Sequence, residues 1–320
     1  MEKGMNFFWH HLFVVFVFAT LLSGKSTIEV VTTLPDLREI AKEIGGEKVS
    51  VFSIAKGYQD PHYVDAKPSY IIKLRKADLF IQVGLDLEVG WVQTLLEGAR
   101  NKKILWGGDG YVNASKGVTL LQVPNIDPTK LRAEGDIHIY GNPHYWLDPE
   151  NAKIIAENIY IGLVRIAPDD EGYFQENKRQ FISRLDQEIS KWTLMMEPYG
   201  GRKIIAFHNS WPYFENRFGI QIAGFVEPKV GISPSPKHIK STIDSMKREN
   251  IRIIIISPYY SKKIPERIAK EVGGVVVELA PSVEGMIGIS NYFDLFDYNL
   301  RQLIDAFKKF DDEKSAGSGD

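Results

Sequence analysis

The chain has no cysteine among its 320 residues. This absence excludes disulfide bonds, thiolate metal ligands and a thiol nucleophile, and it excludes lipid attachment through an N-terminal cysteine. Any metal site must therefore be built from imidazole and carboxylate groups.

Several other features are missing. The formal net charge is only −2, so no polycationic surface argues for nucleic-acid binding. The sequence contains no His-Glu-x-x-His, no Gly-x-Ser-x-Gly and no Gly-rich phosphate loop, which removes the common signatures of zinc peptidases, serine hydrolases and nucleotide-binding enzymes. Charged residues at 25% and hydrophobic residues at 44% are typical of a globular protein long enough for two medium domains.

The apolar stretch Leu12–Leu22 is too short for a transmembrane helix, which needs about 20 apolar residues. Lys3 precedes it and small residues follow it, a pattern that predicts a secretory signal peptide over residues 1–26. We expect cleavage between Gly24 and Ser26; an uncleaved membrane anchor is the alternative. Without a cysteine for lipid attachment, the mature protein is expected to be soluble and periplasmic.

Short apolar runs alternate with helical segments in two sets. Continuous runs of this kind indicate parallel strands that are buried on both faces. The fold class predicted is therefore α/β, with two lobes that each contain a small parallel sheet flanked by helices. The predicted strands are Ile28–Thr33, Val49–Ile54, Leu79–Val83 and Ile104–Leu105 in the first set, and Lys203–Phe207, Ile220–Phe225, Ile251–Ser257 and Val275–Leu279 in the second.

One long helix is predicted between the sets, over residues 168–198. Five apolar residues recur in it at spacings of three, four and seven, which gives one apolar face: Phe174, Phe181, Leu185, Ile189 and Trp192. We interpret it as a strut that joins both lobes, with the last helix of the first lobe as the alternative. The predicted divisions are a signal peptide 1–26, an N-terminal lobe 27–167, the linking helix 168–198, a C-terminal lobe 199–310 and a flexible tail 311–320.

Histidine is the residue type that points to a site. Seven occur, of which His10 and His11 lie in the leader. Three of the others, His62, His144 and His208, lie in loops that follow strands or close the first unit. Ligands bind beyond the carboxyl ends of parallel strands, so three such histidines favour a shared metal ion over three unrelated structural histidines.

The segments around these histidines resemble the zinc- and manganese-binding solute-binding proteins of bacterial ABC importers, in order over about residues 28–308. The matching blocks are Asp60-Pro61-His62, Lys67-Pro68-Ser69, Ala77-Asp78-Leu79, Gly84-Leu85-Asp86-Leu87-Glu88, Asn142–Pro149 and Phe207–Phe214. The resemblance implies two α/β lobes joined by one long helix, with the metal in the cleft and His62, His144 and His208 as ligands. It also implies a carrier that is not an enzyme, that is a monomer, and that delivers its divalent ion to a membrane permease.

The resemblance leaves the fourth ligand open. The family usually supplies a carboxylate after the last strand of the second lobe, where this chain has Ala280. Glu284, in a flexible loop, is the predicted substitute; Glu278 or water are the alternatives. We expect Glu284 to approach the metal more closely than Glu278. Glu227 is interpreted as a surface or hinge carboxylate.

Two more histidines lie outside the three blocks. His138, six residues before His144 and close to Asp136, is considered for an accessory metal role because related proteins often carry histidine-rich loops near this point. His238, near the start of a predicted helix, is interpreted as a solvated surface residue.

Three neutral imidazoles suit Zn²⁺, which prefers a tetrahedral site completed by an oxygen. Manganese prefers more oxygen ligands and binds nitrogen-rich sites more weakly. Zinc is therefore the predicted cargo, with manganese as the alternative. A zinc-dependent hydrolase, or a cell-adhesion protein (an adhesin) on the same scaffold, are the alternative functions.

Overall fold

A computed structural model describes Met1 and residues 27–125, 138–229 and 231–317, with side chains as far as residue 312. Apart from Met1, the predicted signal peptide with its cleavage site lies outside these residues, as does Asp136. Within the described ranges, no helix has both the length and the apolar character that crossing a membrane requires.

The first lobe contains a four-stranded sheet in the order β2-β1-β3-β4, and all of its strands are parallel. The strands are β1 (Ile28–Thr32), β2 (Val49–Ser53), β3 (Leu79–Gln82) and β4 (Tyr111–Asn113). The helices are α1 (Pro35–Gly45), α2 (Pro68–Lys76), α3 (Val92–Ala99) and α4 (Asn151–Ile166).

The second lobe repeats this arrangement, with a parallel sheet in the order β6-β5-β7-β8. Its strands are β5 (Lys203–Ala206), β6 (Gln221–Phe225), β7 (Ile253–Ile256) and β8 (Val275–Glu278). Its helices are α6 (Pro212–Phe218), α7 (Pro236–Glu249), α8 (Lys263–Glu271) and α9 (Tyr292–Gly317). The predicted fold class is confirmed.

The central strands form because their residues are β-branched and can be buried on both faces. All four isoleucines of β7 are buried, as parallel sheets covered by helices require. In each sheet the chain first adds a strand on one side of the first strand and then crosses to the other side. This change of direction creates a cleft at the carboxyl ends of the strands.

The strand predicted at Ile104–Leu105 is wrong. Ile104 instead ends a short 3₁₀ turn, Lys102–Ile104, in which the Asn101 side chain accepts a hydrogen bond from the N–H of Lys103. The edge strand β4 follows seven residues later, and only its Val112 is buried. A three-residue strand with one buried side chain gives too weak a pattern to be found in the sequence.

The long helix α5 spans Glu171–Met196 and is flanked by 3₁₀ turns at Pro168–Asp170 and Glu197–Tyr199. Its predicted apolar face is buried, from Phe174 to Trp192. α5 packs against α1 and α4 of the first lobe and against α9 of the second. It therefore joins the lobes as one rigid element, and the predicted strut is confirmed.

The lobes also meet directly where α1 faces the loop after β8. The buried carboxyl group of Asp36 accepts hydrogen bonds from the N–H of Val283 at 3.1 Å and from the Ser282 hydroxyl. The Trp146 indole N–H donates to the Pro281 carbonyl oxygen at 2.9 Å. These bonds fix how the second-lobe loop sits against the first lobe.

Asp36 makes the stability of this contact depend on pH. Burial raises the pKa of the Asp36 carboxyl to about 7, against the effect of its hydrogen bonds. Because the folded-state pKa lies above the ordinary value of 3.8, this group's stabilising contribution is full below about pH 4. The contribution is lost as pH rises through about 7.

We therefore expect Asp36→Asn to gain stability relative to the wild type as pH rises from 5 to 8, by up to a few kcal/mol. The amide of the variant has no proton to lose, whereas the native carboxyl must ionise in a buried site. Denaturant unfolding of both proteins at each pH measures the difference in unfolding free energy. A difference that stays constant over this range would contradict a buried, largely protonated Asp36.

Candidate metal centre

His62 lies in the loop between β2 and α2, and Asp60 fixes the orientation of its ring. The Asp60 Oδ1 atom accepts hydrogen bonds from the His62 backbone N–H at 3.0 Å and from its Nδ1 at 2.7 Å. The Trp91 indole N–H donates to the Pro61 carbonyl oxygen at 2.9 Å and holds the preceding residue in place. In the neutral ring this bond places the proton on Nδ1 and leaves the lone pair on Nε2.

His144 lies between β4 and α4, and Asn142 orients it in the same way. The Asn142 Oδ1 atom accepts from the His144 backbone N–H at 3.0 Å and from its Nδ1 at 2.9 Å. The Asn142 Nδ2 atom donates to the Asn209 carbonyl oxygen at 2.8 Å, which fixes the orientation of the amide. Nδ1 of His144 must therefore be the donor, and Nε2 carries the lone pair.

The Nε2 atom of His144 is buried and has no hydrogen-bond partner within the part of the chain that the structure describes. Burial, together with the neighbouring imidazoles, holds the pKa of His144 well below its usual value. The ring is therefore neutral. A buried lone pair without a donor is costly unless a ligand satisfies it, and a metal cation is such a ligand.

His208 follows β5 by two residues, and Glu227 follows the neighbouring strand β6 by two residues. Nδ1 of His208 donates to Glu227 Oε2 at 2.5 Å, and the other carboxylate oxygen accepts from the N–H of Gly231 at 2.7 Å. The Glu227 side chain is only 9% exposed. The interpretation of Glu227 as a surface carboxylate is therefore wrong: its side chain is largely covered and accepts a hydrogen bond that orients His208.

The structure brings the three predicted histidines together from both lobes. One ligand nitrogen from each lies within 4.8 Å of the others, and all three residues are buried. Donor atoms on a tetrahedral zinc ion are separated by about 3.3 Å, so a small inward movement completes the site.

The charges around the cluster match a divalent cation. Burial alone would raise the pKa of Asp60, but its hydrogen bonds with His62 and the nearby imidazole charge lower the pKa below its usual value. Asp60 and Glu227 thus place two carboxylates behind the imidazoles of His62 and His208. Carboxylates in this position fix the ring tautomer and strengthen imidazole as a ligand.

The structure does not bring Glu284 to the histidines, and this part of the prediction is corrected. Its carboxylate pairs with the Arg38 guanidinium at 2.8 Å, its side chain is 44% exposed, and it is not part of the ligand cluster. Glu278 pairs with Lys262 at 2.5 Å and is also outside that cluster. Both carboxylates are held by basic side chains, which a loop-based prediction could not anticipate.

The remaining histidines differ from each other. Nε2 of His138 lies 3.1 Å from Nε2 of His62, beside the cluster. His238 is partly buried rather than fully solvated, and its Nε2 atom is 3.0 Å from the Phe225 carbonyl oxygen. It is not part of the cluster.

Comparisons with known proteins agree with this geometry. The family described as the periplasmic component A of the zinc-uptake complex (ZnuA) matches residues 30–306. The chain is 25% identical over 316 residues to the manganese ABC transporter substrate-binding lipoprotein PsaA of Streptococcus pneumoniae, covering 93% of this chain and 97% of that protein. It is 24% identical over 322 residues to the high-affinity zinc uptake system protein ZnuA of Bacillus subtilis, with the same coverage.

Solved structures share the fold. A crystal structure of ZnuA superimposes with a TM-score of 0.74 at 24% identity, covering 88% of this chain and 99% of that one. A manganese-bound periplasmic metal-binding protein from Candidatus Liberibacter asiaticus gives a TM-score of 0.70 at 21% identity, with coverages of 88% and 99%. At this level of identity the superpositions speak for the fold alone.

Two lobes joined by one long helix, with imidazoles converging from both, define an extracytoplasmic solute-binding protein. The chain belongs to the zinc-uptake component A family, the metal substrate-binding proteins of ABC importers. The prediction of a binding protein rather than an enzyme is confirmed. Membership implies a permease and an ATPase as partners.

Proposed function

We propose that this chain captures zinc in the periplasm as cargo, through Nε2 of His62, His144 and His208, and delivers it to the permease of an ABC importer. The observation that carries the proposal is the buried Nε2 atom of His144. The hydrogen bond between Nδ1 and Asn142 leaves a lone pair on Nε2, and no described residue donates a hydrogen bond to it. The ordinary reason to bury such an atom is a ligand that accepts its lone pair.

The choice of zinc follows from the donor atoms. A nitrogen-rich set suits Zn²⁺ at about 2.0–2.1 Å, and it binds manganese more weakly by the Irving–Williams order. Relatives of the chain are named for both metals, so the family does not decide between them. The described oxygen ligands that manganese would favour are engaged elsewhere: Glu284 by Arg38 and Glu278 by Lys262.

Release of the ion follows from the division of the site. His62 belongs to the first lobe and His208 to the second, so separating the lobes removes at least one ligand. We propose that docking of a single copy of the chain on the permease drives this separation. Among the described residues, Asp60 and Glu227 are bonded to ligand histidines; both accept from Nδ1 atoms and so do not serve as a general base for hydrolysis.

A competition experiment tests the cargo. We expect about one tightly bound ion per chain, with zinc displacing manganese by at least about a hundredfold in relative affinity, because manganese is the weaker binder of nitrogen ligands. Equilibrium dialysis of the mature protein against mixtures of the two metals, with elemental analysis of both compartments, gives the ratio. Absence of tight metal binding, or a preference for manganese, would overturn the proposal.

A further inference from the structure

Among the described residues, His138 lies beside the three-histidine cluster but is not part of the group whose ligand atoms all lie within 4.8 Å of one another. Its Nε2 atom is 3.1 Å from Nε2 of His62. Its ring centroid is 5.2 Å from that of His62 and 6.2 Å from that of His144. The approaching atom is thus a nitrogen, and it faces the atom of His62 that carries the lone pair.

The separation of these two nitrogens fits two ligands of one metal ion. With zinc–nitrogen bonds of about 2.0–2.1 Å and tetrahedral angles, neighbouring donor atoms lie about 3.3–3.4 Å apart. The observed 3.1 Å is close to this value. Nδ1 of His62 bonds to Asp60, so Nε2 is the nitrogen of His62 that faces His138.

His138 is connected to the segment that orients His144. The N–H of Gly141 donates to the His138 carbonyl oxygen at 3.1 Å, which closes a turn just before Asn142. Gly141 has a φ of 113°, a conformation that side-chain-bearing residues rarely adopt. The turn therefore positions His138 relative to Asn142, whose amide fixes the His144 ring.

We propose that His138 is the fourth ligand, so that four imidazoles and no oxygen hold the cargo ion. This rests on the proposed function of the three-histidine site and names the feature that sets its selectivity. A site without oxygen ligands discriminates against manganese more strongly than three imidazoles and a carboxylate would. The class of cargo is then a divalent ion that prefers nitrogen, with zinc as the abundant example.

X-ray absorption of the zinc-loaded full-length mature protein tests the proposal, because scattering from imidazole rings counts the bound histidines. We expect four imidazoles in the wild type and three plus an oxygen in His138→Ala. In dialysis, the ratio of zinc to manganese affinity should fall about tenfold or more in the variant, since zinc loses a preferred nitrogen ligand. His238→Ala, whose ring lies outside the cluster, should match the wild type in both measurements.

Three imidazoles in the wild type, with an unchanged affinity ratio in His138→Ala, would overturn the fourth ligand and reduce the contact to a hydrogen bond from His138 to His62. A separate result would overturn the proposed function. If His144→Ala binds zinc as tightly as the wild type, the three-histidine site is wrong whatever His138 does, and the proposed fourth ligand is overturned with it.

Discussion

His144→Ala is expected to lower zinc affinity about a thousandfold, roughly 4 kcal/mol. The substitution removes a nitrogen ligand that is buried, neutral and fixed in the metal-binding tautomer. Water entering the space left by the ring supplies a weaker ligand and has no fixed position. Competition with a chromophoric chelator measures the affinity of both proteins at neutral pH.

The matched control is His238→Ala. It removes an imidazole that contacts the Phe225 carbonyl oxygen and does not belong to the histidine cluster. Its zinc affinity should equal that of the wild type. The thermal unfolding of both variants without metal shows whether the fold is kept. Equal zinc affinities for His144→Ala and His238→Ala, with both folded, would remove His144 from the site.

Glu227→Gln is expected to lower zinc affinity about 10–100-fold, as is usual for partners that orient metal ligands. The carboxylate accepts two hydrogen bonds on different oxygens, from Nδ1 of His208 and from the N–H of Gly231. Glutamine offers one acceptor oxygen and one NH₂ group. One of the two N–H donors would therefore face the NH₂ group instead of an acceptor. The change also removes a negative charge beside the cation.

Glu284→Gln is the matched control for this substitution. It makes the same chemical change at a carboxylate that is 44% exposed and paired with Arg38. Exposed ion pairs contribute about 0–1 kcal/mol, and no ligand histidine depends on this one, so zinc affinity should stay at the wild-type value. Similar losses in both variants would show that overall charge, rather than the bond to His208, carries the effect.

The sequence was sufficient for the fold class, for seven of the eight strands and for the convergence of three histidines. Continuous apolar runs such as Ile253–Ile256 indicate buried parallel strands, and histidines after such strands share one edge of the sheet. The apolar spacing in α5 similarly predicted the linking helix. Metal binding by His62, His144 and His208 stays a prediction, as do the division boundaries, the signal peptide and the monomeric state.

The supporting residues could not be predicted, because they depend on distances between segments that are far apart in the chain. Glu227 meets His208 only because β6 lies next to β5 in the sheet. Each residue follows its strand by two positions, so the two side chains lie side by side. That equal offset is the one signal that could have found it. Arg38 holds Glu284 across 246 positions of sequence, and no local pattern around Glu284 reveals such a partner.

Anomalous diffraction from crystals of the zinc-loaded protein, recorded on both sides of the zinc edge, tests the three-histidine site most directly. We expect one strong peak per chain between the lobes, about 2.0–2.1 Å from Nε2 of His62, His144 and His208. A peak elsewhere, or a peak that lacks the Nε2 atom of His144, would contradict the site.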